Sequence, residues 1–310
     1  MNFQQLRYVR EAVRRNLNLT DVANTLHTSQ SGVSKQIKDL EDELGIDIFI
    51  RRGKRLTGIT DPGAGVLQLI ERILLDTENL RRAASHYASQ EEGRLVIATT
   101  HTQARYALPK VIERFREAFP KVNLALRQGS PTQVAEMVLA GDADIGIATE
   151  ALNRYPDITT FLSYSWHHVV TVRRSHPLAT AKQVTLQDIA AYPIVTYDRE
   201  FSGRSHIDAA FEQAGLTPDI ALTAMDADVI KTYVEVGLGV GILAAMAVDA
   251  ERDTHLVVFD TPGMFEPNTT RIGVRNGAYL RSYAYRLIEM FAPHLREEEI
   301  RQRLIDAEER

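Results

Sequence analysis

The chain of 310 residues contains no cysteine, which excludes disulfides, thiol catalysis and a thiol-based redox switch. It also has no apolar run of membrane-spanning length, and its first residues follow the pattern of an amphipathic helix rather than that of a signal peptide. We therefore expect a cytoplasmic protein without a membrane partner. The nine histidines show no metal-binding spacing such as HExxH, so we expect no metal ion.

The sequence signatures of common enzymes are missing too. There is no GxSxG nucleophile elbow and no phosphate-binding P-loop. Gly237, Gly239 and Gly241 superficially resemble a dinucleotide-binding loop. They follow a predicted helix and enter a predicted strand, however, which is the reverse of the order that places phosphate at a helix N-terminus. We expect no catalytic residue and no cofactor.

Residues 17–57 predict two short helices joined by a tight turn and followed by a basic loop. The second helix repeats apolar residues at Val33, Ile37, Leu40 and Leu44, and its polar side chains lie largely on the other face. Positive charges surround Gly53 in a predicted β-hairpin wing. A polar helix face can read base edges while a basic loop binds phosphates. We predict that DNA is contacted by Gln30, Ser31, Ser34, Lys35, Lys38, Arg51, Arg52, Lys54 and Arg55.

Charge is unevenly distributed along the chain. Residues 1–60 contain ten Lys/Arg and seven Asp/Glu, a net charge of +3, whereas the whole chain carries −5, which leaves −8 for residues 61–310. A basic head on an acidic body confines phosphate affinity to the head. The alternative is that the helix pair is an ordinary packing unit and the basic loop merely a solvated one.

A long helix is predicted after Asp61, Pro62 and Gly63, over about residues 63–90. Within it, side chains recur at alternating spacings of four and three, which is an a/d seam of about three heptads. We expect this helix to pair two chains, because a two-fold pair of heads matches a two-fold DNA site. The alternative is an amphipathic helix that lies on its own domain. The seam consists of Val66, Ile70, Ile73, Thr77, Leu80, Ala84 and Tyr87.

From Gly93 onward, predicted strands alternate with predicted helices, and a helix–glycine–strand pattern occurs at residues 133–148 and again at 228–243. This predicts two α/β lobes with a cleft between them. A final helix over residues 281–295 is expected to pack on the first lobe. The predicted fold is therefore multidomain: an all-α winged helix-turn-helix head (1–60), a long linker and dimerisation helix (61–91), and an α/β bilobal, periplasmic-binding-protein-like effector domain with lobe I at 92–162 and 268–310 and lobe II at 163–267.

Hydroxyl and amide side chains stand at predicted strand ends and helix starts in both lobes. Free backbone N–H groups and the helix dipole favour an anion at such junctions, without a fixed positive charge. The alternative is that these side chains only cap helices. A transporter's solute-binding receptor would share the bilobal fold, but the DNA-binding head argues against it. We predict that a small anion binds at Thr100, Thr102, Gln103, Ser130, Thr149, Ser202 and Gly203.

The head also carries a family motif. The pattern AxxLxxSQxxxSxxIxxLExxLGxxLF runs from Ala23 to Phe49, with Ile48 in place of the usual Leu, and a wing pattern follows from Arg52 to Gly63. On these motifs the chain resembles the LysR-type transcriptional regulators along its whole length. Four segments of the body, 98–109, 128–133, 147–152 and 226–233, are similar to the CysB-like branch, which activates cysteine and sulfur-assimilation genes. Ser31 departs from the usual Pro of the family, and Ser202 departs from the usual Thr.

The resemblance implies a regulator of sulfur assimilation and cysteine biosynthesis genes that binds promoter DNA. It implies acetylserine, sulfate or thiosulfate as the effector, with Trp166 lining the cleft, although a lone tryptophan is more often a core residue. It also implies a homodimer that associates into a homotetramer, with RNA polymerase as a further partner. The alternative is a paralogue that controls organosulfur or sulfate-starvation genes. Both activation and repression are compatible with the sequence at any given promoter.

Overall fold

The computed structural model describes residues 1–88 and 92–308. The chain forms two compact units, Met1–Ala88 and Ser89–Arg310. Among the described residues, none of the helices combines the length and low charge that crossing a bilayer requires.

Polar side chains set the starts of three helices in the first unit. Asn2 and Gln5 form a capping box at the first helix, Asn18 caps the second, and the Ser29 hydroxyl accepts a backbone N–H at the third. Each cap satisfies N–H groups that the first helical turn leaves unpaired. The helices are α1 (Phe3–Arg14), α2 (Leu19–Thr25) and α3 (Gln30–Leu44).

The apolar faces of these helices form the core of the head. Val33, Ile37 and Leu40 of α3 are fully buried, as their spacing predicts. Leu44 is instead 40% exposed. The helix ends at this residue, and Gly45 follows in the left-handed conformation with φ of +70°. Glycine adopts this conformation at low cost because it has no Cβ. The helix therefore ends at Leu44, and this side chain stays outside the core in which its spacing would place it.

A two-stranded antiparallel hairpin forms the wing, with β1 (Phe49–Arg52) and β2 (Arg55–Ile59). Gly53 occupies the turn with φ of +62°. The next element is α4 (Asp61–Ala88). Its Gly63 lies close to the residue that precedes β1, because a Cβ there would be 2.2 Å from the carbonyl oxygen of Ile48. Only glycine therefore allows α4 to start against the wing.

The long helix α4 has an inward part and an outward part. Ile70 is buried in the core of the head and Val66 packs against it, whereas Ile73 is 38% exposed and Leu80 is 70% exposed. The predicted seam is thus divided. Its first two members, Val66 and Ile70, pack into the core of the head, whereas Ile73 and Leu80 face outward. The side chain of Tyr87 lies outside the described residues.

The second unit contains two mixed sheets. In chain order its elements are β3 (Gly93–Thr99), α5 (Pro109–Ala118), β4 (Val122–Gln128), α6 (Pro131–Leu139), β5 (Ile145–Thr149), β6 (Ile158–Trp166), β7 (His168–Arg173), α7 (Leu186–Ala190), β8 (Ile194–Tyr197), α8 (Ser202–Gln213), β9 (Ile220–Ala224), α9 (Ala227–Glu235), β10 (Val240–Ala244), β11 (Leu256–Asp260), β12 (Asn268–Arg275), α10 (Ser282–Phe291) and α11 (Glu297–Glu308).

Each sheet has five strands. The first has the order β4-β3-β5-β12-β6, in which β3, β4 and β5 are parallel and β12 is antiparallel to its two neighbours. The second has the order β11-β7-β10-β8-β9, with β8, β9 and β10 parallel. Helix α10 packs its Tyr283 and Ile288 into the core of the first lobe, so this lobe is built from two separate stretches of chain.

Two connections join the lobes. The chain leaves the first sheet at Trp166 and enters the second at His168, and it returns to the first sheet at Asn268. The first passage therefore lies at residue 167 rather than at the boundary expected at 162, because β6 continues its ladder with β12 up to Trp166.

Candidate DNA-binding surface and ligand site

The outer face of α3 carries the polar residues predicted to read base edges. Gln30 and Ser31 open the helix and are exposed, as are Lys35 and Lys38, whereas Ser34 is half-buried. The opposite face of the helix packs into the head. The five side chains therefore share one face, as a helix that enters a DNA groove requires.

The cations of this candidate surface differ in their partners. Lys38 Nζ lies 2.9 Å from a carboxylate oxygen of Asp42 and 3.8 Å from one of Asp47, and the hydrogen bond with Asp42 raises the pKa of Lys38. DNA phosphate has to compete with these carboxylates. Within the described part of the head, exposed cations without an ion pair are Lys35, Arg52, Lys54 and Arg55.

Arg51 is bound inside the head. Its Nη2 donates to the carboxylate of Glu41 at 2.8 Å, and that carboxylate also accepts the backbone N–H groups of Ile48 and Phe49 at 2.9 and 3.0 Å. Glu41 is 1% exposed. Arg51 therefore fixes the wing against α3, a role that charge counting did not predict. Glu41 was visible in the sequence only as one letter of the family motif.

In the effector domain, the carboxyl ends of three parallel strands meet at one edge of the first sheet. Thr100 follows β3, Ser130 follows β4 and Thr149 ends β5, and all three are buried. This edge is where open α/β sheets bind ligands. The Ser130 hydroxyl also accepts the N–H of Gln133 in a capping box, so helix capping accounts for part of its role.

Thr102 and Gln103 lie in the helical turn after β3, but their surroundings differ. Thr102 is half-buried, whereas Gln103 is 2% exposed. The Gln103 amide donates to Thr270 Oγ1 at 3.1 Å and accepts the hydroxyl of Tyr164. The structure thus places Gln103 in the interior of the first lobe, where it positions the turn that carries Thr102.

The second lobe contributes the start of α8. Ser202 is its first residue, with a side chain outside the described part of the structure. Gly203 packs against the connections between the lobes, since a Cβ there would lie 2.9 Å from His168 Nε2 and 3.5 Å from Asn268 Oδ1. Its lack of a side chain therefore permits close packing.

Aromatic rings lie beside this helix start. The ring centroids of Trp166 and His168 are 5.2 Å apart, and those of His168 and Tyr197 are 6.3 Å apart. Burial lowers the pKa of His168 to about 3. Burial also raises the pKa of Tyr197 to about 12, against the effect of its hydrogen bonds with the Ala244 N–H and the Thr102 side chain. The Thr102 contact brings residues of both lobes to one place.

Sequence reasoning missed a polar network across the cleft. Asp228 of α9 accepts a hydrogen bond from the Tyr106 hydroxyl at 2.7 Å and lies 2.8 Å from Arg105 Nε and 3.2 Å from His101 Nε2. Burial alone would raise the pKa of Asp228, but its hydrogen bonds and the nearby cations lower it. In the sequence these residues belong to segments 98–109 and 226–233, which carry the family resemblance but give no sign that they contact each other.

The same network contains atoms of metal-ligand type. His101, Asp226 and Asp228 each offer one within 4.8 Å of the others. Asp228 is already bound by Arg105 and Tyr106, however, and Lys231 Nζ lies 3.5 Å from it. A cation there would meet neighbouring positive charges, so we assign these residues to an ion-pair network.

A helix-turn-helix head with a cationic wing, in a chain that also has a bilobal domain with hydroxyl-rich strand ends, defines the class of ligand-responsive DNA-binding proteins. Residues 3–64 match the family model described as bacterial regulatory helix-turn-helix protein, lysR family, and residues 88–296 match the LysR substrate binding domain. The chain belongs to the LysR family, which confirms the resemblance drawn from its motifs.

Curated relatives and a solved structure agree with this assignment. The chain is 70% identical to the HTH-type transcriptional regulator SsuR of Burkholderia cenocepacia, with 97% of each chain covered. It is 53% identical to the regulator CysB of the same organism, over 98% of this chain and 97% of the relative. The cofactor-binding domain of the Cbl transcriptional regulator matches with a TM-score of 0.67 and 44% identity, covering 69% of this chain and 94% of that domain. The chain is thus a transcriptional regulator and not an enzyme.

Proposed function

We propose that the chain regulates genes of sulfur assimilation and cysteine biosynthesis in response to a small anionic effector bound between its two lobes. The observation that supports this most strongly is the meeting of Thr100, Ser130 and Thr149 at the carboxyl edge of three parallel strands. Acetylserine, sulfate and thiosulfate are the candidate effectors, and similarity to the regulators CysB and SsuR supports this choice.

Hydrogen bonds suffice to hold such an anion. The helical turn after β3 and helix α6 both start at this edge of the sheet, so their first N–H groups and positive dipole ends lie near the three side chains. No side chain with a fixed positive charge is needed. Hydroxyl donors from Thr100 and Thr102 complete an arrangement suited to a carboxylate or sulfate oxygen.

The effector can act on the arrangement of the lobes through one short segment. Thr102, a candidate ligand contact, is four residues from Tyr106, which bonds Asp228 of the second lobe. A ligand that orders this turn therefore also stabilises one arrangement of the lobes. It changes the output only to the extent that its affinities for the two arrangements differ.

The DNA-binding unit is proposed to be a dimer. The outward side chains Ile73 and Leu80 of α4 form an apolar surface suited to the same helix of a second chain. Effector domains would then associate into a tetramer that spans two DNA half-sites in the cytoplasm. RNA polymerase is proposed as a partner at activated promoters.

A second candidate is a paralogous regulator of organosulfur or sulfate-starvation genes. Burkholderia cenocepacia contains both SsuR and CysB, and the chain is 70% identical to the first and 53% to the second. This difference favours a paralogue of the general cysteine regulator.

The experiment is a titration of purified protein against promoter fragments of cysteine-biosynthesis and organosulfur genes, at fixed salt, with an unrelated fragment as control. Each titration is repeated with acetylserine, sulfate and thiosulfate. We expect tighter binding to at least one sulfur promoter and a change of affinity with at least one effector. Equal affinity for all fragments, unchanged by every effector, would overturn the proposal.

A further inference from the structure

A histidine of the second lobe faces an unpaired carboxylate oxygen of the first lobe. His206 lies on α8, and its Nε2 is 3.9 Å from Oε1 of Glu150. Glu150 opens the helical turn that follows β5. Among the described residues, Glu150 Oε1 is a buried atom without a hydrogen-bond partner. Buried polar atoms are nearly always paired in native proteins, so this oxygen needs a physical explanation.

The other oxygen of Glu150 already has two donors. Oε2 accepts the backbone N–H of Thr269 at 2.9 Å and the Thr269 hydroxyl at 3.3 Å. Thr269 belongs to β12, close to the point where the chain returns from the second sheet to the first. These two bonds hold the carboxylate in place, so Oε1 is the oxygen that remains for His206.

The tautomer of His206 explains why the pair is not bonded. Its Nδ1 lies 3.2 Å from the backbone carbonyl oxygen of Glu266. A carbonyl only accepts hydrogen bonds, so Nδ1 must carry the ring hydrogen. In the neutral imidazole, Nε2 is then an acceptor without a hydrogen. Two acceptors therefore face each other, and 3.9 Å is too long for a hydrogen bond between them.

The other charged and titratable side chains around the pair do not supply the missing donor to Oε1. Arg204 and Asp208 bond each other at 2.7 Å, and burial keeps the His168 imidazole neutral. The Glu266 side chain is exposed, and Arg271 attracts the carboxylate of the pair electrostatically without bonding Oε1. These groups are Arg204 and Asp208 on α8, His168 on β7, Glu266 ahead of β12, and Arg271 on β12.

We propose that protonation of His206 forms a hydrogen-bonded ion pair with Glu150, so that acidification strengthens the contact between the two lobes. The added proton binds Nε2, converts it from acceptor to donor and gives Oε1 its partner. Histidine is the side chain that changes charge between about pH 5 and 8. Because the bond needs the protonated ring, its stabilisation is present at low pH and is lost as the pH rises. This switch does not depend on the proposed effector.

A double-mutant cycle in the full chain tests the pair. The variants are Glu150→Gln, His206→Asn and the double variant, and thermal melting of all four proteins is measured at about pH 5.5 and about pH 8. His206→Asn keeps an amide donor for the Glu266 carbonyl but places no atom at the position of Nε2. We expect a coupling of about 2 °C or more in melting temperature at the acid pH. The titration of His168 is common to all four proteins and cancels.

Glu150→Gln should reverse the pH dependence of the contact rather than remove it. The new amide oxygen faces the two donors of Thr269, which leaves the NH₂ group for His206. That group can donate to Nε2 of the neutral imidazole, but it opposes the protonated one. The coupling between the two positions should therefore fall to zero or become negative at about pH 8.

Glu266→Gln is the matched control, because the same substitution beside the same histidine leaves the backbone carbonyl in place. Its cycle with His206→Asn should show no coupling that changes with pH. A control coupling as large as that of Glu150 would identify the Glu266 carboxylate as the partner and overturn the inference.

The inference is also overturned if the cycle of Glu150 with His206 shows no coupling at the acid pH, or the same coupling at both pH values. His206→Asn gives a further measurement that leaves every bond between Glu150 and Thr269 intact. Its melting temperature should fall further below that of the unaltered chain as the pH is lowered. A deficit that does not grow on acidification would contradict the switch even if Glu150→Gln fails to fold.

Discussion

The hydroxyl of Tyr106 donates a hydrogen bond of 2.7 Å to the carboxylate of Asp228, and this bond joins the first lobe to the second. Lys231 Nζ also contacts this pair, since it lies 3.2 Å from the Tyr106 hydroxyl and 3.1 Å from a carboxylate oxygen of Asp253. The two lobes are therefore connected by specific polar contacts as well as by their connecting strands.

Asp228→Asn should weaken this connection, because the amide can still accept from Tyr106 but no longer forms an ion pair with Arg105. We expect the dissociation constant for the effector to rise several-fold while DNA binding without effector stays unchanged. Titration calorimetry and promoter binding measure the two quantities. Asp142→Asn is the control, since the exposed Asp142 carboxylate lies 3.9 Å from Arg127. An equal effect of both substitutions would refute a special role for Asp228.

Glu41→Gln should destabilise the head. A buried carboxylate that accepts two backbone N–H groups and a guanidinium is replaced by an amide that presents N–H to donors. Disrupting a buried ion pair costs about 3–5 kcal/mol. Thermal melting and promoter binding should both show the loss. The exposed Glu43 provides the comparison, because Glu43→Gln should cost well under about 1 kcal/mol. A stable Glu41→Gln head would contradict this role in holding the wing.

Lys35→Ala and Lys38→Ala should differ in their effect on DNA binding. Lys35 is exposed and has no ion pair with another described residue, whereas Lys38 is held by Asp42 and Asp47. Lys35→Ala should lower the slope of log affinity against log salt by about 1, and Lys38→Ala by less. The slope is measured by titrating one promoter fragment at several salt concentrations. Equal slopes in all three proteins would show that α3 does not contact phosphate.

The stability of the effector domain should depend on pH through His168. Its pKa is about 3 in the folded chain and about 6.5 when unfolded. Between these values the unfolded chain binds a proton that the folded chain does not, so stability is full above about pH 6.5 and falls as the pH is lowered.

His168→Gln removes this dependence. The unaltered chain should lose about 2 kcal/mol more than the variant between pH 7 and pH 5, given about 1.4 kcal/mol per pH unit below 6.5. Denaturant unfolding of both proteins at the two pH values measures the difference. An identical loss in both would mean that His168 accepts a proton in the folded chain.

Periodicity and family motifs predicted the architecture well, because each lobe and the head follow regular hydrophobic patterns. Val33, Ile37 and Leu40 illustrate this, as does the wing around Gly53. Leu44 shows the limit: its spacing fits the core, but the left-handed Gly45 ends the helix there. The geometry of a turn depends on single residues such as this glycine, and a hydrophobic repeat carries no information about them.

The candidate sites were predicted less completely. Residues at strand ends, such as Thr100 and Thr149, could be found because parallel strands bring their carboxyl ends together. Residue type indicates a binding role for Arg51 and Gln103, but it does not show their partners. Arg51 bonds Glu41 of α3, and Gln103 bonds Tyr164 of β6, 61 residues away. Contacts across the cleft depend on tertiary packing, and nothing in local sequence encodes them.

The most direct test of the account measures promoter affinity with and without effector for the unaltered chain and for Thr102→Ala. Thr102 lies between the strand-end site and the bond from Tyr106 to Asp228. The account predicts that both proteins bind DNA equally in the absence of effector and that only the unaltered chain changes its affinity when effector is added. An undiminished effector response in Thr102→Ala would contradict it.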